Sequence, residues 1–134
     1  MQIQPYLYFD GQSDEAIEFY KQPVGARVNM LMRFKDSPEP VPDMNPQMAN
    51  KVMHGSLQIG DSTVLISDGR CRGAAKLDGF ALTLLTSSQD IDRIFSALAD
   101  GGKVQMPLAK TFFSPRFGML SDRFGVQWIL LVQH

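Results

Sequence analysis

The chain is poor in the residues that usually carry covalent or metal chemistry. Its 134 residues hold one cysteine, Cys71, and two histidines, His54 and His134. One cysteine closes no internal disulfide, which fits a reducing compartment. No CxxC or HxxxH spacing offers a metal site, and no Gly-rich phosphate loop, GxSxG or Walker pattern offers a nucleotide or acyl-transfer site. Charge of either sign is not in surplus: 13 basic against 14 acidic residues give −1. A nucleic-acid groove needs a basic excess on one face, so no nucleic-acid partner is expected. No apolar run approaches a membrane span, and MQIQPYLYF lacks the basic head and apolar segment of a leader. The expectation is a soluble, cytoplasmic protein with no membrane partner.

What is present is a core and a repeat. Apolar residues make up 44% of the chain, and the length suits a single domain over 1–134. Residues 2–9 alternate as a strand, with Ile3, Leu7 and Phe9 on one side and Tyr6 and Tyr8 among the polar row. Asp10-Gly11 turns the chain. Ser13 is placed to cap a helix whose stripe is Ala16, Ile17 and Tyr20, and Pro23 stops it. Val28, Met30, Met32 and Phe34 then alternate on one side of a strand.

Residues 35–50 hold Pro38, Pro40, Pro42 and Pro46 and no periodicity, so they read as a long loop, either a lid or a tolerated insertion. Strands at 51–59 and 63–67 follow, joined at Gly60-Asp61. Asp68-Gly69 closes the unit, and residues 70–76 connect to the next.

The plan then repeats. A strand spans 80–85, and Ser87 or Ser88 caps a helix. Its apolar residues Ile91, Ile94, Phe95 and Leu98 fall at i, i+3, i+4 and i+7. Gly101-Gly102 ends it. A short strand at 103–106 leads to the hairpin Phe117–Leu131, whose turn is Asp122-Arg123-Phe124-Gly125. Gly25-Ala26-Arg27-Val28 matches Gly101-Gly102-Lys103-Val104, and Gly60 matches Gly125. The offset between halves falls from 76 to 65, which places about 11 additional residues of the first half in the proline-rich loop. Each half, about 1–69 and 77–134, is a βαβββ module.

The stretches FDGQSDEAIEFY (9–20), MHGSLQIGDSTVLISDG (53–69), ADGGKVQMPL (99–108) and FGMLSDRFGVQW (117–128) resemble the PhnB-like branch of the vicinal oxygen chelate superfamily. That superfamily also holds glyoxalase I, bleomycin-resistance proteins and extradiol dioxygenases. The resemblance implies an α+β fold of paired βαββ modules, glyoxalase/bleomycin resistance-like, with sheet curved around a cavity, and a homodimer. Where metal-dependent members hold a divalent ion by His and Glu, gapless matching puts Pro5, Phe80 and Ile129, with Asp68 the nearest carboxylate to the remaining position near Ser67. Proline, phenylalanine and isoleucine offer no side-chain ligand, so neither a metal nor any other cofactor is expected.

The candidate ligand-binding residues are His54, Ser56, Asp68, Phe80, Arg116 and Ile129. His54 and Ser56, with Gln58, form the polar row of a strand. His54 could donate a hydrogen bond or act as a general base, or simply be satisfied on a sheet face or at a dimer contact. Asp68 could bind a ligand amine or hydroxyl, or serve as an Asx-type turn residue. Arg116 could fork onto an anionic group, or stay solvated. Phe80, Phe112, Phe113 and Trp128 supply aromatic surface for a cavity or a core. Since Trp128 and Ile129 point to opposite faces, Ile129 at the metal position sends Trp128 to the helix side. Cys71 lies between Arg70 and Arg72, which favour its thiolate, though a plain linker cysteine is the ordinary outcome.

These features lead to metal-independent binding of a small, partly apolar molecule in the sheet cavity. The alternative is a lyase, isomerase or dioxygenase of the same superfamily, metal-dependent or using His54 and Asp68 as acid and base.

Overall fold

The computed structural model describes residues 1–41, 46–69 and 76–133. The chain forms two compact units, 1–75 and 76–134. Cys71, most of the 70–76 connector, His134 and the centre of the proline-rich loop lie outside the described residues.

The first unit is built from β1 (Tyr6–Tyr8), α1 (Ser13–Lys21), β2 (Arg27–Arg33), β3 (Val52–Ile59) and β4 (Ser62–Ser67). Its sheet has the order β1-β4-β3-β2, with β1 parallel to β4 and the other pairs antiparallel. The second unit repeats this with β5 (Leu82–Leu85), α2 (Ile91–Ala99), β6 (Lys103–Ala109), β7 (Arg116–Ser121) and β8 (Gln127–Val132). Its order is β5-β8-β7-β6, with the same strand directions. This is the expected α+β fold of paired modules.

One face of each sheet is buried and the pleat leaves the other open. In the first unit Leu7, Leu57, Val64 and Ile66 are buried on one side, as are Ala16, Ile17 and Tyr20 of α1. In the second, Leu120, Trp128 and Leu130 are buried, with Ile91, Ile94, Phe95 and Leu98 of α2. Both helical stripes therefore bury the residues that their spacing marks. Gly55 and Gly118 occupy the same place in the two sheets, opposite Ile66 and Leu130. A Cβ on Gly118 would come within 2.8 Å of the Phe95 ring of α2. On Gly55 it would come within 2.9 Å of Ile66. Glycine at these points is a packing requirement.

The repeat extends further than the helix ends. Val28 faces Leu57 and Met30 faces Ser56, so one residue, Asn29, is extra on β2. Val104 faces Leu120 and Met106 faces Met119, leaving Gln105 extra on β6. A bulge thus falls at the same point of Val-Asn-Met and Val-Gln-Met. It corrects the expectation that Val28 and Met30 share a face, because an unpaired residue resets the alternation. The offset between units is 77 at Leu7 and Leu84 and 63 at Gly55 and Gly118. The extra residues therefore fall between β2 and β3, where the prolines are. The base of that loop is tied: Lys35 N–H donates to the Ala49 carbonyl at 2.9 Å, and Met48 is buried.

Helix starts depart in part from expectation. Ser87 does begin the second helical segment: its hydroxyl accepts the Asp90 N–H at 3.2 Å, one turn ahead of α2. Ser13 does not cap α1. It is the first residue of the helix, and its buried hydroxyl has no partner. The cap is supplied from across the sheet.

Candidate functional site

That cap is Asp68, which follows β4 and is 1% exposed. Its Oδ1 accepts the N–H groups of Gly11 and Ser13, both at 2.9 Å, and its Oδ2 accepts Val52 N–H at 2.8 Å. A carboxylate at a helix N-terminus meets unpaired donors and the positive end of the dipole. The Asx-turn reading of Asp68 is thereby corrected, since the adjacent turn is closed by Ser67, whose Oγ accepts Gly69 N–H at 2.9 Å. Asp68 holds α1 to β3 and β4, and its oxygens are engaged by backbone.

Arg116 opens β7 and forms an ion pair with Asp92 of α2. Its parity with Gly118 and Leu120 puts it on the helix side of the sheet. Phe80 stands two residues before β5 and is exposed. Ile129 faces Thr83 and Met119 on the open face, while Trp128 is buried and donates Nε1–H to Asp122 Oδ2 at 2.9 Å. The expected division between Trp128 and Ile129 is the observed one. Asp122 also accepts Phe124 N–H at 2.9 Å and Val126 N–H at 3.1 Å, so it bonds its own turn as Asp at such a corner should.

Pro5 precedes β1, and its carbonyl accepts Leu65 N–H at 2.9 Å. The next residue carries the open face. Tyr6 pairs with Leu65 and Tyr8 with Ser67, whereas Leu7 points into the core. By the same register the counterpart of Tyr6 in the second unit is Thr83, because Thr83 faces Ile129 as Tyr6 faces Leu65, and one residue back Pro5 corresponds to Leu82, not to Phe80. Gapless matching is displaced because it cannot see where the short strands begin.

On the open face of the first sheet, His54 and Tyr6 come together. Tyr6 Oη and His54 Nδ1 are 2.8 Å apart. The Tyr6 and Tyr8 rings stack with centroids 5.0 Å apart and planes at 19°, and the His54 ring lies 5.6 Å from Tyr6. Burial is the main cause that raises the Tyr6 phenol above its ordinary value; the nearby Tyr8 adds to it, and a hydrogen bond with Ser67 opposes it. Ser56 lies on the same face, opposite Leu65 and Met30. Further along, Gln58 accepts from Asn29 Nδ2 at 3.1 Å and from Thr63 Oγ1 at 3.3 Å.

Within the first unit the structure brings His54 and Ser56 to one face and engages Asp68 with backbone at the start of α1; Phe80, Arg116 and Ile129 belong to the second unit. Sequence reasoning missed Tyr6, Tyr8 and Ser67 as neighbours of His54. The alternation of Tyr6 and Tyr8 about Leu7 was a signal, but the parallel pairing of β1 with β4 was needed to use it.

The donors present do not fit a superfamily-type divalent ion. Among the described residues no three His, Cys, Asp or Glu side chains cluster to hold one. Tyr6 is the side chain that meets His54, and Tyr8, Ser56, Gln58 and Ser67, which share its face by register, add no carboxylate.

Two four-stranded βαβββ units, each with a helix on one face, define the class: the glyoxalase/bleomycin resistance-like, or vicinal oxygen chelate, fold. The FosX fosfomycin resistance protein of Listeria monocytogenes shares it at a TM-score of 0.71 and 10% identity, over 100% of this chain and 94% of that one. Protein PA1353 of Pseudomonas aeruginosa is 37% identical, with a TM-score of 0.85, over 99% of this chain and 98% of that one. Protein YjdN of Escherichia coli is 31% identical over 98% of this chain and 95% of its own length. A family model described as 3-demethylubiquinone-9 3-methyltransferase matches residues 1–131. The chain belongs to that family, the PhnB-like branch of the superfamily.

Proposed function

We propose that the open face of the first sheet binds a small, partly apolar molecule without a metal. The observation that carries this is the stacked Tyr6–Tyr8 pair, 38% and 53% exposed, standing beside a hydrogen-bonded His54 on the side away from α1. Two aromatic rings held by a sheet offer large contact area at little cost in side-chain entropy, and the polar atoms beside them give direction. The methyltransferase wording of the family description has little bearing on this chain, whose sequence carries no nucleotide- or S-adenosylmethionine-type glycine loop.

The enzyme reading has two forms. A metal-dependent lyase, isomerase or dioxygenase needs donors that do not cluster here, and His54–Asp68 chemistry needs a carboxylate that is already taken by three backbone N–H groups. Both points favour binding.

The test is a thermal-shift titration with small aromatic compounds, run beside elemental analysis of natively purified protein. A ligand at about 100 times its Kd should stabilise the fold by about 2.7 kcal/mol. Replacing both Tyr6 and Tyr8 with alanine should remove that gain. Stoichiometric metal surviving dialysis, or stabilisation that persists in the double variant, would overturn the proposal.

A homodimer accompanies this reading, supported by the apolar side chains Val28, Met30, Val104 and Met106 exposed on the outer strands. Sedimentation velocity checks it: a species of 15.0 kDa, the mass of one chain, at working concentration would rule it out.

A further inference from the structure

We draw no further inference here: the strongest candidate, the aromatic surface patch that Phe112 and Phe113 of the loop between β6 and β7 form with Phe117 of β7, leaves Phe112 97% and Phe113 47% exposed, and nothing in the structure shows what covers it.

Discussion

The two units share strand order, strand direction, a bulge at Asn29 and Gln105 and a packing glycine at Gly55 and Gly118. Their open faces nevertheless differ in chemistry. Where the first has Tyr6, Tyr8, His54, Ser56 and Ser67, the second has Thr83, Leu85, Phe117, Met119 and Leu131 in matching register. Phe117 also carries Phe113 edge-on at 5.0 Å, and Phe112 packs on Phe113 in the same way. The buried faces have to fill a fixed space against a helix, so they hold similar residues in both units. The open faces carry no such constraint: both keep a hydrogen-bonded polar group beside the bulge, Asn29–Gln58–Thr63 and Gln105–Ser121–Gln127, but further along the first is aromatic and polar where the second is largely apolar.

The units also solve one problem differently, and this gives the largest expected effects. Each has a buried aspartate accepting three N–H groups, but Asp68 joins α1 to the sheet whereas Asp122 braces a hairpin turn and Trp128. Asp68→Ala and Asp122→Ala should each cost about 4 kcal/mol in urea denaturation, since buried donors are left unpaired. Asp68→Asn, which keeps one accepting oxygen, should cost about half as much. A loss below about 1 kcal/mol for the alanine variants would mean that water replaces the carboxylate.

A second contrast lies at the start of the bulged strand. Ala26 in the first unit corresponds to Gly102 in the second. A Cβ at Gly102 would sit 2.1 Å from the Ser121 carbonyl oxygen and 2.8 Å from Asp122 backbone, because the longer hairpin turn of the second unit rises against it. Gly102→Ala should therefore destabilise by about 3 kcal/mol. Ala26→Gly, which removes a buried methyl, should cost about 1 kcal/mol. Equal losses would show that the two turns do not differ as described.

The smallest effect is electrostatic. Arg33 forks onto Asp14 with bonds of 3.0 and 2.9 Å and holds its carboxyl below the usual 3.8. A depressed folded value gives stability that is present above the unfolded value and is lost as pH falls through the folded one. Stability should thus decline below about pH 4, by less than about 1 kcal/mol for so exposed a pair. Asp14→Asn should flatten that part of the curve, read as urea midpoints across the acid range. An unchanged slope would assign the acid limb to other carboxylates.

Much of the architecture was legible because it follows from local rules. The helical stripes, the Asp122 turn, the opposite pointing of Trp128 and Ile129 and the doubling of the chain all come from periodicity, turn chemistry and a repeated Gly-x-x-Val. The bulges were hidden in plain alternation, since a skipped partner changes the pairing without changing the pattern. Ser13 looked like a cap by residue type, but its own N–H is taken by a carboxylate 55 positions later, which makes it the first helical residue instead of the cap.

The sequence by itself determined the class of fold and the poverty in metal ligands. Apolar spacing selects helix or strand, and a chain with two histidines and one cysteine has few donors to arrange. Only the tertiary structure decided which polar residues meet. Tyr6 and His54 are 48 positions apart. Nothing local links them: β1 lies parallel to β4, β4 lies against β3, and that two-step pairing lays the phenol against the imidazole.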